Sequence, residues 1–155
     1  MHIAPTLAHV LTKHSIAYDV VNHKRTNSSL HSAHSVHIPS GSMVKPVIFE
    51  DSFGYVMVLV PANQYVKLDK LNFILNREME LATEFELNDI FTDCEQGAFP
   101  PVGDAYGMLT LVDYDLDYCD DVYIECGNHT DLLHLSRDSF RRLIENSRHG
   151  KVGIH

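Results

Sequence analysis

The sequence predicts one α+β domain with a mixed sheet. Three observations predict it. Helix-like and strand-like periodicities come in runs, without the strict alternation of a parallel βαβ protein. The chain has 155 residues, 45% hydrophobic and 21% charged, enough for one domain with a sizeable core of its own. No linker, repeat or low-complexity tract divides it, so residues 1–148 read as a single domain and 149–155 as a mobile tail.

The elements follow from local pattern. "PTLAHVLTKHS" sets Leu7, Val10 and Leu11 at helical spacing behind Pro5, and "AYDVV" then alternates like a strand. "NSSLHSAHSVH" reads as a second short helix, ended by the turn residues "IPSGS". "MVKPVIFE" and "YVMVLVP" are β-rich and joined by "DSFG", which predicts a hairpin. Pro46 cannot donate to a ladder, so the first of these strands is expected at an edge or bulged near Lys45. In "KLDKLNFIL", Leu68, Leu71, Ile74 and Leu75 share a helix face, and "TEFELNDIF" opens with Thr83 and Glu86 at capping-box spacing. After the turn "CEQGAFPPVG", the segments "MLTLVDYDL", "DVYIEC" and "LLHLS" read as three strands. Ser136 is placed to cap a last helix, "RDSFRRLIENS".

Composition narrows the function. A formal charge of -9 argues against generic coating of nucleic acid, which needs many clustered cations, but leaves room for a small local contact. The run "YVMVLVPA" is too short to span a bilayer, and "MHIAPTLAHV" lacks the charged start and long apolar stretch of a signal peptide. A cytoplasmic protein without a membrane partner is expected. Cys94, Cys119 and Cys126 are an odd count without C-x-x-C spacing, which suits reduced thiols in the same compartment.

Four features could carry chemistry. His31, His34 and His37 stand at i, i+3 and i+6, so the outer two diverge by about 120° around a helix; a solvated face fits them better than a zinc site. Asp113, Asp115 and Asp117 alternate along a predicted strand, where an exposed charged face accounts for them better than a hard-cation site. Lys45 is a lone cation in an apolar strand, open to two readings: a snorkelling surface lysine or a functional charge. The turn from Cys94 to Gly103 packs Pro100 and Pro101 between glycines, fixing two φ angles and holding the N–H groups of Gly97, Ala98, Phe99, Val102 and Gly103 in a stiff array. Such an array suits a rigid scaffold or a carbonyl or phosphate oxygen.

Together, "SGSMVKPVIFEDSFGYVMVLVPANQYVKLDKL", "CEQGAFPPVG" and "DVYIECGNHTDLLHLSRDSFRRL" resemble, in order and spacing, the YbaK/prolyl-tRNA-synthetase-associated editing domain family. That family pattern has a strand-borne lysine, a hairpin ending near a proline, a Leu-Asp-Lys-Leu-like helix, a Gly-Gly-x-x-Pro-x-Gly loop and an apolar strand ending in glycine. The resemblance implies a mixed, barrel-like β core with surrounding helices. It also implies a free-standing enzyme without a cofactor, which hydrolyses the ester at the 3′ end of a mischarged tRNA carrying a small amino acid. A synthetase is an implied possible partner. By the same resemblance Lys45, Gly97 and Ala98 are catalytic, while Phe99, Pro100, Pro101 and Gly103 bind substrate in the loop. Tyr18 matches an aromatic position near the pocket, Asp131 matches a family aspartate displaced by one, and His129 lies in the same turn. Ala98 replaces the second loop glycine and Pro100 a small residue, so the substrate is expected to differ. Lys24, Arg25, Arg137, Arg141 and Arg142 are the cations available to grip an acceptor end. A non-catalytic module binding a free amino acid or a synthetase remains the alternative.

Overall fold

The structure is a computed structural model and describes residues 2–25, 29–35 and 37–155. In chain order the elements are α1 (Pro5–Lys13), β1 (Asp19–Asn22), α2 (Ser29–Ser35), a 3₁₀ turn (Ser40–Ser42), β2 (Val44–Asp51), β3 (Gly54–Pro61), β4 (Tyr65–Val66), α3 (Leu68–Leu75), β5 (Glu80–Leu81) and α4 (Glu84–Ile90). A second 3₁₀ turn (Gly103–Tyr106), β6 (Leu109–Asp113), α5 (Tyr114–Asp117), β7 (Asp121–Glu125), β8 (Asp131–Ser136), α6 (Arg137–Leu143), β9 (Arg148–Gly150) and β10 (Gly153–Ile154) complete it. Both expected caps form: Thr83 and Glu86 make a reciprocal capping box on α4, and Ser136 accepts from Ser139 N on α6.

The largest sheet has five strands in the order β5-β2-β3-β6-β9, mixing the antiparallel β2–β3 hairpin with the parallel pairs β3–β6 and β6–β9. β3 is its centre. Val56 through Val60 are fully buried, because one face meets α3 and the other meets the main core, and this explains the unbroken apolar run in the sequence. A second, antiparallel sheet has the order β1-β8-β7. The two sheets touch through one parallel bridge between Met43 and Tyr123.

The fold is therefore mixed α+β as expected, but no closed barrel forms among the described residues. On its side away from β3, β2 meets β7 through Met43 and pairs with β5 only at Phe49 and Glu50. Pro46, which has no N–H to give, stands between these two short contacts.

Two expectations are corrected near the C-terminus. The strand predicted over "MLTLVDYDL" stops at Asp113, whose side chain accepts from Asp115 N at 2.9 Å and caps the short helix α5. The three aspartates consequently do not line one strand face. Residues 149–155, expected as a mobile tail, are tied down instead. β9 pairs with β6, β10 pairs with β4, and the fully buried Asp113 accepts from Val152 N at 2.9 Å and Gly153 N at 2.7 Å. A polar, glycine-containing tail carries no hydrophobic period to announce such docking; its anchor is a carboxylate some forty residues away in sequence, as the separation of the Asp113–Gly153 bond records.

Candidate functional site

The Pro-rich turn is stiff for visible reasons. Val102 N donates to Pro100 O at 2.9 Å, a three-residue γ-turn centred on Pro101, and Ala98 N donates to Glu95 O at 3.1 Å. Two of the five N–H groups in the predicted array are thus already spent. Among the described residues Gly97 N, Phe99 N and Gly103 N have no acceptor. Gly97 sits at φ 85°, the left-handed region that glycine reaches without strain. The Phe99 ring is turned into the core, stacked on Phe91 with centroids 4.3 Å apart, so it anchors the turn from below. Pro100, Pro101 and Gly103 are buried as well, and a side chain at Gly103 would collide with Met57 and Thr110.

A small network fastens the start of this turn to the β7–β8 loop. Glu95 N donates to Gly127 O at 2.8 Å, His129 N donates to Glu95 Oε2 at 3.0 Å, and His129 Nε2 donates to Gln96 O. His129 Nδ1 is buried with no partner among the described residues. Arg25 grips Glu95 through two bonds of 2.9 Å, which holds the Glu95 carboxyl below its ordinary range. Gly127 is required here twice over: its φ is 109°, and a Cβ would lie 2.7 Å from that of Ala4.

Lys45 stands near the start of β2, opposite Val60. The Met43–Tyr123 bridge sets the start of β2 beside β7, and Lys45 stands two residues beyond it. Its half-buried ammonium donates to Gln64 O and lies 4.8 Å from the Tyr65 ring centre, and burial lowers its pKa. The strand that bears Lys45 and the loop that receives the Pro-rich turn thus both adjoin β7.

The structure brings Gly97, Ala98 and His129 together through this network. Asp131 is next door, bonded by Asn22 Nδ2 and lining a cavity of about 680 Å³ with Asp93, Glu95, Gly127 and Asn128. Neither Lys45, Gly97 nor His129 lines that cavity. Tyr18 is not part of the group: Asp19 pairs with His134 and Asn22 with Asp131. That register leaves Tyr18 roughly 13 Å along β1 from Asn22, at about 3.3 Å per residue. Of the candidate cations, Arg25 is held by Glu95 and Arg137 by Asp120 and two carbonyls, while Lys24 is exposed. His31 lies on α2 and His37 beyond its end at φ 58°; the side chain of His34 is outside the described residues.

One residue escaped the sequence reading. Glu125, at the end of β7, is 1% exposed, accepts from Ser32 Oγ at 3.4 Å and leaves Oε2 buried without a partner among the described residues. Burial pushes its carboxyl up to about 8. The available signal was the one that singled out Lys45, a charge inside an otherwise apolar strand. The native protein holds this proton up to about pH 8, whereas the unfolded chain releases it near its ordinary value of 4.5. Over that window the unfolded state binds fewer protons, so stability falls as pH rises. Glu125→Gln is expected to flatten this slope, giving a smaller loss between pH 5 and pH 8 than wild type in urea unfolding midpoints. Equal losses in both proteins would show that Glu125 does not titrate in this way.

The three thiols are unsuited to nucleophilic attack. Burial pushes Cys94 and Cys126 up to about 12 and raises Cys119 too, so all three stay protonated near neutral pH.

The family model described as "Aminoacyl-tRNA editing domain" matches residues 23–143. No curated protein matches the chain. Among solved structures, a candidate trans-editing enzyme for prolyl tRNA synthetase superposes with a TM-score of 0.83 at 20% identity, covering 98% of this chain and 97% of that one. The hypothetical protein APE2540 gives 0.84 at 18% identity over 96% and 99%. A candidate signal transduction protein from Marinobacter aquaeolei VT8 gives 0.81 at 17% identity, with 99% of this chain matching 31% of that longer one. At these identities the likeness speaks for the fold.

Proposed function

Because the chain belongs to the aminoacyl-tRNA editing domain family, we propose that it is a trans-acting deacylase that hydrolyses the ester of a mischarged tRNA carrying a small amino acid. The observation that carries this reading is the stiff Pro-rich turn with its unspent N–H groups, fastened to the β7–β8 loop. Ester hydrolysis passes through a tetrahedral oxyanion, which fixed donors stabilise without reorganising. Gly97 N, Phe99 N and Gly103 N are the donors of the turn left for that task. Lys45 supplies the cation for polar groups of the aminoacyl-ribose end. With every cysteine held as a thiol, the attack falls to water, assisted by the neighbouring ribose hydroxyl as the family resemblance implies.

Pocket discrimination is modest by nature, since one methylene separates substrates by only about 1–3 kcal/mol. The test is deacylation of tRNAs charged with Ala, Ser, Cys or Pro. Enzyme-dependent release of at least one is expected, and release of none would sink the reading. Pro101→Ala is expected to lower turnover more than it weakens tRNA binding, because it loosens the γ-turn without removing a cation. Unchanged single-turnover rates would make the turn scaffold only.

A further inference from the structure

The far end of the β2–β3 hairpin carries a groove of about 900 Å³ that the proposed reaction does not use. Its walls include Phe53 at the hairpin tip, 85% exposed, and Phe73 on α3, 87% exposed. Leu81, 65% exposed, pairs directly opposite Phe49 on the outermost strand β5, whose other edge is unpaired among the described residues. Large apolar side chains standing this far out on adjoining elements form a patch of the kind that marks a binding surface.

The groove is acidic. Glu50, Asp51, Glu78 and Glu80 line it, against one cation, Arg77. That cation is consumed: Arg77 Nε donates to Asp51 Oδ2 at 2.7 Å and Nη2 to Oδ1, which lowers Asp51 to about 2. Glu50, Glu78 and Glu80 have no cationic partner among the described residues. Glu86 of α4, burial and the charge of Glu80 together raise Glu50 to about 7. Carboxylates crowded in this way repel each other until a cation arrives.

We infer that this groove docks a cationic, apolar-bearing segment of a protein partner, with basic side chains on Glu50, Glu78 and Glu80 and an apolar side chain between Phe53 and Phe73. A second copy of the chain is disfavoured, since it would press the same carboxylates against each other. The free edge of β5 offers backbone groups to an extended segment. Lys45 and Asp51 lie at opposite ends of β2, about 20 Å apart at roughly 3.3 Å per residue, so an occupant leaves the lysine end open.

The experiment pans wild-type protein against a random dodecapeptide library and measures synthetic copies of the enriched peptides by fluorescence anisotropy. Enriched sequences are expected to carry net positive charge with at least one large apolar residue. Their affinity should fall at least tenfold in Phe73→Ser and in Glu80→Lys, both exposed changes, and should weaken with added salt. Unchanged circular dichroism and thermal midpoints certify the variants. Acidic winners, winners indifferent to both substitutions, or no enrichment would each overturn the inference. So would concentration-dependent dimerisation abolished by Phe73→Ser, which would assign the groove to self-association. None of these readouts depends on deacylation.

Discussion

Lys45→Ala is expected to lower single-turnover deacylation by roughly 100- to 1,000-fold while leaving the fold intact. The ammonium is worth about as much as one fixed transition-state donor, about 2.7–4 kcal/mol. Structurally the residue is cheap to lose. Its ammonium has one carbonyl partner, Gln64 O, and an exposed ring, Tyr65, and its stem is only half buried. Lys45→Met, which keeps most of the stem, should be as inactive as the alanine variant if the charge is what matters. Because burial lowers the lysine pKa, the cation is lost as pH rises at a lower pH than for a free lysine. Wild-type activity is therefore expected to decline on the alkaline side before the ordinary lysine range is reached. Undiminished turnover in both variants would remove Lys45 from the mechanism, and a large drop in thermal midpoint would recast it as structural.

Asp113→Ala should have the largest effect on stability, a loss of about 3–5 kcal/mol, since each buried donor left unsatisfied costs about 1–3 kcal/mol. Asp113 is fully buried and accepts from Val152 N, Gly153 N and Asp115 N, with Lys151 Nζ at 3.2 Å. Alanine would strand three backbone donors, while the Lys151 ammonium keeps Gln64 Oε1, Gly153 O and Asp115. For a chain of this length such a loss lowers the melting temperature by roughly 6–20 °C. Limited proteolysis should then cut the C-terminal residues first, because β9 and β10 lose their shared anchor. A melting temperature within about 2 °C of wild type would mean that strand pairing alone holds the tail.

A strained glycine offers an independent check on the site. Gly127→Ala forces a side chain into a positive-φ position against Ala4, on the loop whose carbonyl receives Glu95 N. It should destabilise the domain by more than about 1 kcal/mol and weaken deacylation as well. A fully active, fully stable variant would show that this loop tolerates movement.

Local chemistry determined much of this protein from sequence alone. The capping box of Thr83 and Glu86, the Ser136 cap, the two-residue hairpin turn at Ser52 and Phe53 and the helical face of Leu71 and Leu75 depend on neighbours within a few residues. Ordered motifs also pointed to the editing-domain family, because spacing along the chain survives where overall identity is low. Tertiary structure alone decided the rest. Whether β2 and β7 closed a barrel depended on how far two strands remote in sequence would pair, and they meet at one bridge beside Pro46. Whether Asp113 lay on a strand face or held the C-terminus depended on donors almost forty residues away. The placement of Phe99 in the core, of Tyr18 away from the turn and of Glu125 under α2 followed from packing between elements. Periodicity tells which face of a strand is buried, but the partner across that face is fixed only when the chain closes on itself, since contacts distant in sequence leave no local period to read.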